Sequence, residues 1–288
     1  MILKPDCKNK TMNNKTLILG KGYLGKEFER HGFETWGKDS FNINYLDKSI
    51  SGYQLDDLRK YNVIINCIGK SNTRWCETPE NFKEAMAING YLPKILSEFC
   101  NTHNIKFIQL STGCLYDNTK KPNTEESFMS AHCKYTITKW VGEIGCNPKT
   151  DLIIRPRLYF SDIQDRNNLL CKLPNYDAYV GNAVDSFTCT STIVGAIKEL
   201  LLIKQCGIFN VAQRGVATIA DIAAWCNLPV NEITTIEKVR KKEKLYLVNN
   251  VMDISKLLPF YYPMDIETAI KLSYSALLHN KASEKSKQ

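Results

Sequence analysis

Thr16-Leu17-Ile18-Leu19-Gly20-Lys21-Gly22-Tyr23-Leu24-Gly25 reads as a short apolar strand that runs directly into three glycines and then into a helix spanning Tyr23 to His31. In that setting the glycines form a dinucleotide fingerprint. Gly20 permits a tight turn, Gly22 lets the backbone approach a pyrophosphate, and Gly25 allows helix and strand to pack closely. The pyrophosphate would rest on the helix N-terminus, beside Tyr23 and Leu24, where free N–H groups and the helix dipole favour an anion.

Working outward, residues 33–36, 62–68, 105–110 and 151–155 read as further strands. They alternate with a helical stretch from about Pro79 to Thr102, which contains Asn89, and with a helix carrying Tyr135 and Lys139. Strands alternating with helices predict an α/β fold, a Rossmann-type doubly wound parallel sheet with right-handed crossovers. Beyond Pro156 the pattern is less regular, with helices expected near 166–173, 191–204, 218–226 and 265–278, one or two strands within 177–189, and a strand at 207–211. The expected organisation is an N-terminal arm (1–15), an NAD(P)-binding domain (16–160), a smaller mixed α/β substrate lobe interwoven with it (161–278), and a polar tail (279–288).

Hydrophobic residues make up 43% and charged residues 24% of the 288, ordinary values for a globular protein. The net charge of +8 gathers in the first 15 residues, in the run Glu237–Lys244 and after Lys281, leaving the rest about neutral. Such runs are solvated arms and faces, so no nucleic-acid partner is expected. Eleven cysteines at irregular spacing, with no Cys-x-x-Cys pair, fit reduced thiols and give no metal site. No apolar run reaches the roughly 18–20 residues of a membrane span, and the first residues lack a signal-peptide core, so a cytoplasmic protein without membrane contact is expected.

Tyr135 and Lys139 share a helix face at i and i+4. An ammonium beside a phenol stabilises the phenolate, which makes the phenol a proton donor for a carbonyl receiving hydride. Ser111 and Thr112, at the end of a strand, are the two hydroxyls placed to bind that carbonyl. Cofactor choice is expected after the second strand, where Lys38 would pair with a 2′-phosphate; NADPH is favoured and NADH is the alternative. His132 reads as structural.

Together these residues resemble the extended short-chain dehydrogenase/reductase family, in its dehydrorhamnose-reductase branch. The resemblance covers roughly residues 15–275. It rests on Asn66-Cys67-Ile68-Gly69, Trp75-Cys76-Glu77, Ser111 to Tyr116, Tyr135 with Lys139, Arg155-Pro156-Arg157, Arg166-Asn167 and Gly207 to Asn210. The branch usually shows Gly-x-x-Gly-x-x-Gly, and this chain is one residue shorter there.

The resemblance implies that Thr112 is the carbonyl-binding hydroxyl and that Lys139 binds the nicotinamide ribose. It adds Cys67 and Gly69 to the cofactor contacts and assigns Arg166 and Asn167 to substrate. It also gives Cys114 and Lys172 roles in proton exchange at the carbons flanking a C4 ketone. The implied activity is conversion of a UDP-linked 4-keto-6-deoxyglucose to the L-rhamnose form by 3,5-epimerisation and C4 reduction, in a homodimer. The alternatives are a reductase without epimerase activity on a UDP- or dTDP-linked sugar, a GDP-fucose-type epimerase/reductase, and a non-catalytic regulatory subunit on the same fold.

Overall fold

Alternation of side chains along four short strands builds two cores at once. Ile18, Ile65, Ile108 and Ile154 point to one face of a sheet, where Leu24, Phe28, Ile193, Ile197 and Leu200 cover them. Leu17, Leu19, Ile64, Phe107 and Ile153 point to the other, against Leu92, Leu96 and Cys100. A strand buried on both faces reads as a continuous apolar run, the mark of a parallel sheet sandwiched by helices. The structure is a computed structural model. It describes residues 15–37, 41–43, 50–52, 55–116, 120–130, 132–229, 232–244 and 247–285. Lys38, expected to choose the cofactor, lies outside the described residues, as do nearly all of the N-terminal arm and the last residues of the tail.

The sheet contains β1 (Thr16–Leu19), β2 (Glu34–Trp36), β3 (Val63–Asn66), β4 (Lys106–Leu110), β5 (Leu152–Pro156) and β6 (Gly207–Val211), ordered β2-β1-β3-β4-β5-β6 with every pair parallel. After β2 the chain crosses to the opposite side of β1. The order therefore reverses between β1 and β3, and a crevice opens at their C-terminal ends, where such sheets take ligands. The flanking helices are α1 (Tyr23–Arg30), α2 (Pro79–Met86), α3 (Leu92–Thr102), α4 (Lys134–Ile144) and α5 (Thr190–Leu202). β6 comes from beyond residue 160, so the second half of the chain completes the first half's sheet.

A separate core around Phe160, Leu170, Phe187, Ile222 and Ile270 holds the second lobe, with α6 (Ile219–Trp225), α7 (Ile236–Glu243) and α8 (Ile266–Lys285). Three details depart from the sequence reading. The stretch 79–102 is not one uniform helix, because a π-helical turn at Ala87–Tyr91 separates α2 from α3. The basic run after Glu237 is a helix, capped by Thr235 and ended by Lys244 in the left-handed conformation (φ 51°). And α8 extends to Lys285, past the expected end near 278, because no glycine or proline stops it. Among the described residues no helix is long and apolar enough to cross a membrane.

Candidate active site

The glycine turn brings β1 and β3 together. Gly20 has φ 108°, and its N–H donates to the Trp36 carbonyl at 2.7 Å. A Cβ on Gly20 would sit 3.0 Å from the Cys67 carbonyl carbon and from Ile68 N, and one on Gly25 would sit 1.8 Å from the Gly20 oxygen. Both glycines are therefore required by close packing. Gly22 differs, since a Cβ there would meet no heavy atom within 4 Å. Its backbone borders open space at the start of α1, whose first turn carries no acidic residue. Bare backbone donors without a nearby carboxylate fit a pyrophosphate. Tyr23 and Leu24 are buried; the Tyr23 hydroxyl shares a hydrogen bond with Ser161 Oγ at 2.8 Å, so the phosphate-facing helix is pinned to the second lobe.

The loop after β3 is fixed by Asn89 in the π-helical turn. Asn89 Oδ1 accepts from Lys70 N at 2.9 Å, while Nδ2 donates to the Lys70 carbonyl and to Thr138 Oγ1, each at 3.0 Å. Gly69 lies against the same amide, its notional Cβ 3.4 Å from Asn89 Oδ1. One buried side chain thus ties the Cys67–Lys70 loop to α4. The N-terminus of α4 is held by Glu77, whose carboxylate accepts from Lys134 N at 2.6 Å and whose carbonyl accepts from Lys134 Nζ at 2.8 Å. An acid at a helix start satisfies an otherwise free N–H and complements the dipole. That explains the Trp75-Cys76-Glu77 turn.

With α4 fixed at both levels, its buried face turns Tyr135, Lys139 and Glu143 toward the end of β4. The Tyr135 hydroxyl lies beside Thr112, close enough for Thr112 to influence its ionisation. Burial raises its pKa well above 10, Cys114 and Tyr159 add to that, and the Thr112 contact opposes it. Burial, rather than the expected lowering by Lys139, governs the phenol and keeps the donor protonated. Lys139 Nζ donates to the Leu110 carbonyl at 2.7 Å, and burial brings its pKa down to about 8 against the opposing pull of Glu143.

Ser111 and Thr112 are separated by their partners. Ser111 Oγ donates to Glu143 Oε2 at 2.5 Å, and Glu143 is ion-paired with Arg155. Arg155 in turn donates to Tyr116 Oη at 2.5 Å and the Glu125 carbonyl at 2.9 Å. Ser111 is therefore committed to a buried network, whereas Thr112 faces Tyr135 and accepts from Cys114 N at 3.2 Å.

Cys114 is half-buried, and its sulfur accepts from Arg157 Nη1 at 2.7 Å. Arg157, Glu143, Asn89 and Glu77 were given no role in the sequence reading. The signal available for the first was Arg155-Pro156-Arg157 at a strand end, since two arginines inside a buried segment must each find a carboxylate.

The structure brings Thr112, Cys114, Tyr135 and Lys139 to one site beside the Gly20 and Cys67 turns. Arg166, Asn167 and Lys172 are exposed in the second lobe. Asn167 N donates to Asp165 Oδ1 at 2.9 Å, and Asp165 is also the first electrostatic partner of Lys172. Asp165 pairs with Lys26 of α1 at 2.7 Å, which sets this group beside that helix.

Several solved structures share this fold. A dTDP-4-dehydrorhamnose reductase ortholog from Clostridium acetobutylicum superposes with a TM-score of 0.75 at 22% identity, covering 91% of this chain and 99% of that one. The L780 UDP-rhamnose synthase of Acanthamoeba polyphaga mimivirus gives 0.75 at 19%, again with 91% and 99% covered. In sequence, the chain is 24% identical over 278 residues to the Arabidopsis thaliana trifunctional UDP-glucose 4,6-dehydratase/UDP-4-keto-6-deoxy-D-glucose 3,5-epimerase/UDP-4-keto-L-rhamnose-reductase RHM1. That match covers 84% of this chain and 39% of the plant protein, so the chain spans well under half of that relative's length. The model of the RmlD substrate binding domain matches residues 14–175, more than half of the chain, and the protein belongs to that family.

Proposed function

We propose that the protein is an NADPH-dependent reductase of a nucleotide-linked 4-keto-6-deoxy sugar, with NADH as the second cofactor candidate, and that it also epimerises the sugar at C3 and C5. One observation carries the reading: a buried phenol beside Thr112, with Lys139 one turn further along α4 and Cys114 two residues past Thr112. The carrier we assign is UDP, in line with the names of the plant and mimivirus relatives. The NADP-bound dTDP-4-dehydrorhamnose reductase of Bacillus anthracis, which shares the fold with a TM-score of 0.75 at 16% identity, supports the cofactor assignment.

The glycine turn and the start of α1 hold the pyrophosphate, and the Cys67–Gly69 loop borders the nicotinamide half. When bound, NADPH supplies the two electrons and the hydrogen that C4 receives. Thr112 and Tyr135 donate hydrogen bonds to the C4 carbonyl oxygen and favour its negative charge as it develops. Tyr135 then transfers its proton to that oxygen, yielding the alcohol. Lys139 holds the nicotinamide ribose and stabilises the phenolate left behind.

Before reduction, the same donors make the C3 and C5 hydrogens acidic, because the carbanion formed there is an enolate with its charge on the C4 oxygen. Cys114 would take the proton from one face of each carbon, and inversion needs a second group that returns a proton to the opposite face. Lys172, to which the resemblance gives that second role, is exposed and has Asp165 as its electrostatic partner. The exposure of Lys172 favours the second reading, a reductase that receives sugar already epimerised elsewhere.

Incubation with UDP-4-keto-6-deoxyglucose and NADPH in heavy water, with NMR of the product, separates the two. The epimerase/reductase yields the L-rhamnose product with deuterium at C3 and C5. In Cys114→Ser, whose hydroxyl is too weakly acidic to form an anion near neutral pH, at least one label fades while reduction of a pre-epimerised ketone survives. Wild-type product without deuterium at either carbon leaves the reductase alone.

A further inference from the structure

The Cys114 sulfur accepts a hydrogen bond from a guanidinium that is itself locked. Arg157 is 3% exposed. Its Nε and Nη2 donate to the two oxygens of Asp185 at 2.8 and 2.6 Å, and Nη2 also donates to the Val248 carbonyl at 2.5 Å. Asp185 is held in turn by Ser186 N at 3.0 Å. Asn250, next to that strap, donates to the Gly113 carbonyl at 3.1 Å and so grips the turn that carries Cys114. A guanidinium fork bound to a carboxylate along one edge has its direction fixed, and here Nη1 is aimed at sulfur.

The other titratable groups facing Cys114 are Tyr135 and Lys139 on α4, Cys133 at its N-cap, and Tyr159 beyond β5. Lys139 is the cation among them, and its ammonium is directed at the Leu110 carbonyl. Arg157 is thus the positive charge in direct contact with the sulfur, and replacing it would take that cation away from the sulfur.

We propose that Arg157, clamped by Asp185, is the positioning residue that holds Cys114 as the proton-exchanging base of this site. The assignment rests on the epimerase reading above. In the step it supports, the sulfur, as thiolate, takes a proton from the carbon beside the C4 ketone, the C–H electron pair passes into the enolate, a second donor returns a proton to the opposite face of that carbon, and the resulting thiol loses its proton to solvent. Arg157 touches sulfur and acts through it.

The test is alkylation of Cys114 by iodoacetamide in the ligand-free full chain, followed peptide by peptide by mass spectrometry from about pH 5 to pH 10. Arg157→Met alone strands a buried carboxylate, so the double variant Arg157→Met/Asp185→Asn, which leaves no charge at the site, is compared with wild type and with Arg157→Lys. In the double variant the midpoint should rise by about one pH unit, making alkylation at pH 7 roughly tenfold slower, with Arg157→Lys between the two. An unmoved midpoint would overturn the proposal even if wild-type enzyme incorporates deuterium at C3 and C5. A shifted midpoint with no deuterium in wild-type product would overturn the epimerase reading, and the base role with it, while leaving reduction intact. Shifted midpoint, wild-type labelling and loss of label in the double variant together support it.

Discussion

Raising the pH should switch off reduction through Lys139 rather than through Tyr135. Burial holds the ammonium at about 8, with Glu143 opposing the shift, while burial keeps the phenol protonated well beyond that. At pH 7 about nine-tenths of Lys139 is then charged and at pH 9 about one-tenth, so each further unit costs roughly a factor of ten. The profile of kcat/KM for NADPH reports the free enzyme, which is the state described. It should be flat below about pH 7.5 and fall with unit slope above 8.

Lys139→Arg keeps its charge throughout this range, so the falling limb should vanish even though the planar head fits the site less well and lowers the plateau. The linkage sign gives an independent check. A lysine whose folded pKa lies below its unfolded value of 10.5 binds fewer protons when folded between about pH 8 and 10.5, so its contribution to stability rises with pH across that window. The loss of activity therefore cannot be unfolding caused by this group. A limb that persists unchanged in Lys139→Arg would refute the assignment.

Three further outcomes follow from the same geometry. Tyr135→Phe keeps the ring's packing but removes the proton donor, so reduction should fall roughly 10²–10⁴-fold while NADPH binding, read by nicotinamide fluorescence, changes little; near-normal turnover would remove the phenol from the mechanism. Gly22→Ala places its methyl in open space and should leave the melting temperature intact while weakening dinucleotide binding, whereas Gly25→Ala, 1.8 Å from a backbone oxygen, should destabilise the fold by about 1–3 kcal/mol or more. Burial alone would raise the pKa of Glu27, yet hydrogen bonds from His31, Thr190 and Arg30 win and hold it at about 2, below its ordinary 4.5. Its contribution, on the order of 3 kcal/mol, should be present above pH 4.5 and lost as the pH falls toward 2; Glu27→Gln should flatten that part of the acid-denaturation curve.

The parallel sheet was legible because its central strands are short, mostly apolar runs and β1 empties straight into glycines whose spacing has a steric meaning. Gly20 and Gly25 show that meaning as contacts with Cys67, Ile68 and the Gly20 oxygen. Tyr135 and Lys139 were legible for a similar reason, since i and i+4 on one helix share a face whatever the tertiary setting. Residues that act through distant partners were not. Nothing local marks Asn89 as the tie between two loops, because its partners Lys70 and Thr138 lie 19 and 49 positions away. The sign of the Tyr135 shift was also missed, because burial can be read only after the core has closed around the phenol. Lys172 was assigned through the resemblance, as the lysine that follows Arg166-Asn167, and no local pattern marks it.

The buried charges around the site share one arrangement: each pair ties the site to a neighbouring part of the fold. Arg155–Glu143 joins β5 to α4 and catches Ser111 at the end of β4, next to Thr112. Arg157–Asp185 joins the end of β5 to the second lobe and ends on Cys114. A buried pair contributes little net stability relative to apolar packing of the same volume, but it tolerates only a narrow geometry, because a misaligned charge stays desolvated and unpaired. Apolar contacts would let the end of β4 slide against α4 by a fraction of an ångström at small cost. The ion pairs do not, and it is across that junction that Thr112 must meet the Tyr135 hydroxyl. The expense of burying four charges here is therefore intelligible as registration of a proton donor against a carbonyl-binding hydroxyl, more than as stabilisation of the fold.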